Sequence, residues 1–170
     1  MDRIAIPKIE GYHCFGCGSR NPQGLNMSFY VAGDSVRSDL ILNAHHVGWE
    51  GIAHGGIVST ILDEIMGWTV IAFKRVFFVT RSMEVRYLRP VPIDEPLTAL
   101  GQLADGDGSG PGGCRVSGAL LDGQGSRLAE ARADMAYLSP KRLHMIPAQY
   151  RIEMERLFGE IGRLLDPSRG

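Results

Sequence analysis

The most constraining feature of this 170-residue chain is a long, mostly apolar run between Gly55 and Phe73. At 1.5 Å per residue, an α-helix over this run would be about 28 Å long. Apolar side chains occur on nearly every face of that helix, and a helix that is apolar all round is buried. The run therefore predicts one long central helix that the rest of the chain must enclose.

In the segments on either side of the run, apolar and polar residues alternate, which is typical of β-strands. Two short strands are predicted near Asn26–Val31 and Val36–Leu42, and after Arg75 the apolar period changes from 3.6 to 2. Further strands are predicted at Val76–Leu88, Leu97–Leu103, Cys114–Leu121 and Leu128–Leu138. Successive strands joined by short links form antiparallel sheets. The sequence thus predicts an α+β fold, in which one antiparallel sheet wraps around one buried helix.

The two ends of the chain differ from this central part. Residues 1–25 are rich in glycine and proline and are predicted to be irregular, residues 26–138 form the sheet-and-helix domain, and residues 139–170 form a helical extension. In that extension, apolar residues recur at a spacing of three to four: Tyr150, Met154, Leu157, Ile161, Leu164 and Leu165. This spacing predicts an amphipathic C-terminal helix, docked on the core or on a partner subunit.

Composition and net charge restrict which partners and which cellular compartment we expect for this protein. The net charge of −1 argues against nucleic acid, because such binding depends on phosphate attraction. The N-terminal residues hold no apolar stretch of signal-peptide length, and the run Ile65–Phe73 is shorter than the ~20 residues that cross a bilayer. Three cysteines fit reduced thiols. We expect a cytoplasmic protein with no nucleic-acid and no membrane partner.

The start of the apolar run, His54-Gly55-Gly56, is the first candidate for chemistry. Two glycines leave the backbone N–H groups of a helix N-terminus unshielded, and the helix dipole adds about half a positive charge there. Such an end can bind an anion or stabilise a developing oxyanion. A sharp turn into the helix that needs glycine is the alternative interpretation.

Asp63 is the second candidate, because a carboxylate in an apolar helix is costly unless it is paired. It is either a salt-bridged or surface acid beside Glu64, or a general base or nucleophile. Nine residues place His54 and Asp63 on opposite sides of the helix and ~13 Å apart along its axis. One helix cannot direct both at the same substrate atom, so a joint site would lie at a dimer interface.

Four segments resemble the hotdog-fold acyl-CoA thioesterases of the phenylacetate-degradation type. They are Gly48–Gly56, Leu62–Gly67, Val85–Pro90, and Cys14–Gly18 (Cys-Phe-Gly-Cys-Gly) with its continuation Asn21–Leu25. The resemblance extends from about Cys14 to Leu138. It implies a hotdog fold, a curved antiparallel sheet around one long helix, assembled into homodimers or tetramers. It also implies an acyl-CoA partner and hydrolysis to free acid and CoA, with no cofactor beyond the CoA of the substrate.

The resemblance also assigns roles to individual residues. The Gly55 amide, which follows the motif residue His54, would polarise the thioester carbonyl. Asp63 of the neighbouring subunit would activate water or attack the carbonyl, assisted by Thr80. Gly56, beside this amide, is a candidate for substrate binding. Independently of the resemblance, Arg89 is a candidate contact for the phosphates of CoA, with an ordinary solvated charge as the alternative interpretation.

One position departs from the family pattern, because many members carry an asparagine where this chain has Gly48. The role of that side chain is then vacant, or is filled by His46 or Glu50. Two other functions stay open: a non-catalytic acyl-CoA-binding hotdog protein, and an enoyl-thioester hydratase.

Two further motifs predict no metal. Cys14 and Cys17 form a Cys-x-x-Cys pair, but zinc needs four ligands and the sequence has no second pair, so a packed turn is the favoured interpretation. Cys114 is expected in the core. Asp105–Gly110 imitates the opening of a calcium loop, but Val116 stands where the closing glutamate would fall.

Overall fold

The apolar run forms helix α1 (Gly55–Lys74) in the computed structural model, which describes residues 3–104 and 112–166. The predicted central helix is thus confirmed to within one residue. The helix ends at Arg75, whose backbone is left-handed (φ 54°) and whose N–H bonds to the Val70 carbonyl at 3.1 Å. Its buried residues form the centre of the core: Val58, Ile61, Leu62, Ile65, Met66, Trp68, Thr69, Val70 and Ala72.

One antiparallel sheet of seven strands surrounds this helix. The strands are β1 (Ile4–Ile6), β2 (Phe29–Ala32), β3 (Ser35–Ile41), β6 (Phe78–Tyr87), β7 (Pro96–Leu103), β8 (Gly113–Asp122) and β9 (Arg127–Tyr137). Their order across the sheet is β1-β2-β3-β7-β8-β9-β6, so β1 and β6 are its edges. This is the α+β architecture that the sequence predicted, with strand limits displaced by a few residues.

Helix α1 packs chiefly on β7 and β8, at the middle of the sheet. A Cβ at Gly101 in β7 would overlap Thr69 Oγ1 and lie 2.8 Å from the Ile65 carbonyl oxygen. A Cβ at Gly118 in β8 would lie 3.0 Å from Met66 Cγ. These two glycines therefore let the helix approach the sheet closely, and this contact fixes where each helical side chain emerges.

Two short elements were wrongly predicted as irregular or loop structure. Strand β1 lies within the first 25 residues and pairs with β2, with Ile4 opposite Val31. The segment from Asn43 to Ala53, whose sequence predicts a loop, contains a small hairpin of β4 (Val47–Trp49) and β5 (Ile52–Ala53). Both were missed because strands of two or three residues are too short to show a period of 2.

The predicted C-terminal helix is α2 (Ala148–Leu165), and it docks on the chain's own core. Met154, Leu157 and Ile161 are its buried residues, and it contacts α1 and β1. Arg75 at the end of α1 forms an ion pair with Asp166 at 3.3 Å. Helix α2 thereby covers the side of α1 that the sheet leaves open.

Helix α1 and the calcium-like motif bear on the expectations about membrane and metal binding. Helix α1 is long and apolar enough, by length and composition alone, to cross a membrane, but here it is the core helix that the sheet surrounds. The calcium-like sequence Asp105–Gly110 lies outside the described residues.

Candidate active site

Asp63 and Thr80 form the closest functional pair that the sequence proposed. Asp63 lies in the middle of α1 and is half-buried, and Thr80 lies near the start of β6. The Thr80 hydroxyl donates a hydrogen bond to Asp63 Oδ1 at 2.8 Å. This bond fixes one carboxylate oxygen, so the other oxygen can accept a proton or attack a carbon atom.

Both residues line a cavity of about 390 Å³ between α1, α2 and the N-terminal loop. Most of its wall is apolar or aromatic: Ile9, Trp68, Ile71, Phe78, Met154 and Leu157. Volumes of a few hundred Å³ with few polar groups are typical of small-molecule sites. The structure therefore places the Asp63 carboxylate at the wall of a pocket suited to an apolar group.

The other candidate residues lie at the start of α1. His54 is the N-cap, and its Nδ1 accepts a hydrogen bond from the Gly56 N–H at 2.9 Å. The Gly55 N–H has no hydrogen-bond partner among residues 3–104 and 112–166. Gly55 therefore offers the free donor that the sequence analysis required, whereas the Gly56 donor is already used by His54.

Tyr87 fixes this helix start, and the sequence analysis missed it. Its hydroxyl donates to the Gly55 carbonyl oxygen at 3.0 Å and forms a 2.6 Å hydrogen bond with Ser59 Oγ. The helix N-terminus is thereby tied to the last residue of β6. The available signal was the position of Tyr87 inside the motif Val85–Pro90, but alternation alone does not show where a strand ends.

His46 and Gly48 support His54 from the preceding loop. The His46 carbonyl oxygen accepts the His54 N–H at 2.8 Å, and His46 Nδ1 accepts the Asn43 N–H at 3.1 Å. Burial lowers the pKa of His46. A Cβ at Gly48 would lie 2.8 Å from His54 Cα, so an asparagine there would displace the histidine. Gly48 thus has a packing role in this chain.

Glu50 and Arg89 are not brought into the cavity. Glu50 is exposed in the turn between β4 and β5. The exposed Arg89 donates from Nε and Nη2 to the Arg127 carbonyl oxygen, at 3.1 and 2.9 Å. Neither position indicates a role in substrate binding within one chain.

The helix start and the carboxylate remain apart within one chain. Eight residues of helix separate Gly55 from Asp63, which is about 12 Å along the axis. None of the three residues at the helix start lines the cavity that contains Asp63. This arrangement agrees with the prediction that one chain cannot bring both groups to one substrate atom.

Three potential metal ligands also meet at the cavity. Donor atoms of Cys14, Cys17 and Glu64 all lie within 4.8 Å of one another. Burial raises the pKa of Glu64 to about 7. The Cys17 thiol and nearby backbone N–H groups lower the pKa of Cys14 to about 5, and the hydrogen bond to Cys14 raises that of Cys17. As expected, Cys114 is buried in the core.

Comparison with known sequences identifies a family segment at the site. Residues 50–105 match the Thioesterase superfamily model, and this range contains the helix start, Asp63 and Thr80. A curated relative, verlamelin biosynthesis protein B from Lecanicillium, is 27% identical over 66% of this chain. The chain spans 56% of that protein's length.

Solved structures agree on the fold. A hypothetical thioesterase from Streptococcus pneumoniae, solved with coenzyme A, has a TM-score of 0.60 at 23% identity over 67% of this chain and 87% of its own. A Streptococcus mutans protein bound to acetyl CoA gives 0.59 at 21% identity, over 67% and 90%. A putative thioesterase from Ralstonia eutropha, described as phenylacetic acid degradation-related, gives 0.58 at 22% identity, over 66% and 85%.

Proposed function

On the premise that this chain is a hotdog-fold protein with a Thioesterase superfamily segment at residues 50–105, we propose that it hydrolyses acyl-CoA thioesters to free acid and CoA. The observation that carries this proposal is the 2.8 Å hydrogen bond from Thr80 to Asp63 at the wall of an apolar cavity. A carboxylate held in this way has the position and chemistry of a general base.

The proposed role of each residue follows from the donor or acceptor atom that its hydrogen bonds leave free. The thioester carbonyl oxygen accepts the Gly55 N–H, which stabilises the negative charge that develops on that oxygen. Asp63 removes a proton from water, the water oxygen bonds to the carbonyl carbon, and the carbon–sulfur bond breaks. The proton held by Asp63 then passes to the CoA thiolate. Thr80 orients Asp63 throughout.

The oxygen that enters the acid distinguishes this route from direct attack by Asp63. In a single turnover in ¹⁸O-labelled water, a general base yields acid labelled from the solvent. Direct attack forms a mixed anhydride with Asp63; when water then adds to the Asp63 carbonyl carbon of that anhydride, the first-turnover acid instead carries an unlabelled oxygen from Asp63. The proposed general-base role predicts solvent label.

We propose that the complete site needs two chains. The Gly55 donor of one chain would face Asp63 and Thr80 of a partner in a homodimer, because the two groups are about 12 Å apart on one helix. Edge strand β6 carries Thr80 and Tyr87 and is largely exposed, so it offers a surface for such a partner. A tetramer of such dimers would keep this site.

Variants of the pneumococcal protein support the choice of residues. That protein is also known as one form with a threonine changed to alanine and one with an aspartate changed to alanine. Their spacing along that chain differs by one residue from the 17 that separate Asp63 and Thr80. We propose that these two residues of the pneumococcal protein correspond to Thr80 and Asp63 of this chain.

A thioesterase screen tests the proposed function. Release of free CoA thiol would be measured with short, medium, long and aromatic acyl-CoAs, with hydration of an enoyl-CoA measured in parallel. We expect thiol release, fastest with apolar medium or aromatic acyl groups, because the cavity wall is largely apolar. Tight binding without thiol release would identify a non-catalytic binder, and hydration without hydrolysis would identify a hydratase; either result overturns the proposal.

Replacing Thr80 with valine is expected to lower turnover by about tenfold to a hundredfold. The substitution removes the hydrogen bond to the charged Asp63 carboxylate, and such bonds contribute about 1.5–3 kcal/mol. Thr80→Ser should restore most of the rate, because it restores the hydroxyl. Ser82→Ala is the matched control, since Ser82 donates to Asp134 on the same strand pair, away from the cavity. Equal rates for Thr80→Val and Ser82→Ala would refute this role.

A further inference from the structure

We propose that Cys14, Cys17 and Glu64 bind one Zn²⁺ ion, which joins the N-terminal loop to helix α1. This site goes beyond the proposed hydrolysis and does not depend on it. Its three donors come from two distant parts of the chain, because 50 residues separate Cys14 from Glu64. The sequence analysis counted only cysteine pairs and therefore expected no metal.

The distances suit a tetrahedral ion. Zn²⁺ binds thiolate sulfur at about 2.3 Å and carboxylate oxygen at about 2.0–2.2 Å, so neighbouring ligand atoms are about 3.5–3.8 Å apart. Cys14 Sγ lies 3.9 and 3.8 Å from the two oxygens of Glu64. All three donor atoms fit within 4.8 Å. Small side-chain rotations would bring them to bonding distance around one ion.

The Cys-Phe-Gly-Cys-Gly loop has the geometry of a metal-binding turn. The backbone N–H groups of Gly16, Cys17 and Gly18 are among the groups that lower the pKa of Cys14, and a lowered pKa favours the thiolate that a metal ion binds. The Gly18 N–H also bonds to the Cys14 carbonyl oxygen at 3.0 Å. A Cβ at Gly18 would lie 2.5 Å from the Cys14 nitrogen, so this turn requires glycine.

Gly16 explains how the loop reaches the helix. A Cβ at Gly16 would lie on the side chain of Glu64, 2.5 Å from its carboxyl carbon. The absence of a side chain therefore lets the loop lie directly on this carboxylate. Gly16 thus serves the contact between the loop and Glu64, and Gly18 serves the turn that carries the two cysteines.

The surroundings orient the carboxylate without neutralising it. Trp68 Nε1 donates to Glu64 Oε1 at 3.1 Å, a contact of the kind that orients metal ligands from outside. The lysine of the cavity wall, Lys8, donates instead to Asn26 Oδ1 and the Met27 carbonyl oxygen, both at 2.9 Å. Two thiols and a half-buried carboxyl group therefore converge where a divalent cation would balance their charge.

The donor set favours Zn²⁺ over other divalent ions. Thiolates select soft or borderline ions, which excludes Mg²⁺ and Ca²⁺, and a carboxylate is a common third ligand of zinc. Because the three residues lie in the cavity wall, the fourth position of the ion would open onto the cavity. Water or a polar atom of a bound molecule would complete it.

Metal analysis of the full chain tests the site. The reduced protein would be loaded with Zn²⁺, freed of excess and analysed by mass spectrometry, and Co²⁺ would be titrated to detect thiolate-to-cobalt absorption. We expect one ion per chain in the wild type and at least a tenfold weaker affinity in Cys17→Ser and Glu64→Gln. Cys114→Ala is the control, because that cysteine lies in β8 away from the cluster.

A thermal readout separates binding from mere loss of fold. Wild-type protein should melt roughly 5–10 °C higher with Zn²⁺ at a hundredfold excess over its Kd than with chelator, whereas folded Cys17→Ser should show no such shift. The proposal is overturned if reduced wild type takes up no Co²⁺ or Zn²⁺. It is equally overturned if Cys17→Ser and Glu64→Gln bind the metal as the wild type does.

Discussion

Replacing Asp63 with asparagine is expected to lower the turnover of a good acyl-CoA substrate by about 10²–10⁴-fold. Asparagine has the same shape, and its amide oxygen can still accept the Thr80 hydrogen bond that Asp63 Oδ1 accepts now. It cannot remove a proton from water or attack a carbonyl carbon. The loss should therefore fall on turnover and leave the folded assembly intact.

The matched control for this variant is Asp134→Asn. Asp134 also accepts a hydroxyl hydrogen bond, from Ser82 at 3.1 Å, but it lies on β9 away from the cavity of Asp63. We expect near wild-type turnover for Asp134→Asn, measured as thiol release with saturating substrate. Wild-type turnover in a folded Asp63→Asn variant would remove the basis of the proposed mechanism.

Replacing Gly55 with proline is expected to lower turnover by about 10²–10³-fold, the usual effect of losing one oxyanion donor. Proline lacks the backbone N–H that we assign to the thioester carbonyl oxygen. The fold should accept it, because Gly55 is the first residue of α1, where proline is favoured. The preceding residue, His54, already has the extended backbone that proline requires, with ψ 137°.

Comparison with Gly55→Ala isolates the missing hydrogen. A Cβ at Gly55 would lie 3.5 Å from the Tyr87 ring, an ordinary contact, so the Cβ that both variants add has space; proline also adds its ring carbons, with Cδ bonded to the nitrogen. Only proline removes the donor. Gly55→Ala should therefore keep most of the wild-type turnover, and Gly55→Pro should be much slower than Gly55→Ala. Equal turnover in the two variants would mean that this amide does not hold the substrate.

The sequence predicted those parts of the fold that depend on long periodic segments. The central helix is a long, mostly apolar segment, and the strands of seven or more residues (β3, β6, β7, β8 and β9) have enough alternations to define a period of 2. The amphipathic spacing of Met154, Leu157 and Ile161 likewise identified the buried face of α2. In each case burial of a repeated face determines both the pattern and the structure.

Features that depend on contacts between distant residues could not be predicted in this way. The reason for glycine at position 48 is the closeness of His54, which the folded loop alone determines. The position of Glu64 beside Cys14 depends on how the N-terminal loop lies across α1. Tyr87 acts on Gly55 because β6 ends beside the helix start. The periodicity of the sequence does not predict any of these contacts.

The sequence proposed the members of the candidate site, and the structure brings two of them together within one chain. Thr80 bonds to Asp63, and the Gly55 N–H has no hydrogen-bond partner among residues 3–104 and 112–166. Gly55 and Asp63 are about 12 Å apart within one chain, so the proposed mechanism depends on where a second chain lies. Neither position on the helix has both the Gly55 donor and the Asp63 base.

A heterodimer of two inactive variants answers that question most directly. Differently tagged Asp63→Asn and Gly55→Pro chains would be co-expressed, the mixed dimers isolated through both tags, and their thiol release compared with each parent. If Gly55 of one chain serves Asp63 of the other, one of the two symmetric sites is intact, and activity should return to about half of wild type. Activity no higher than that of the parent variants would contradict a site shared between two chains.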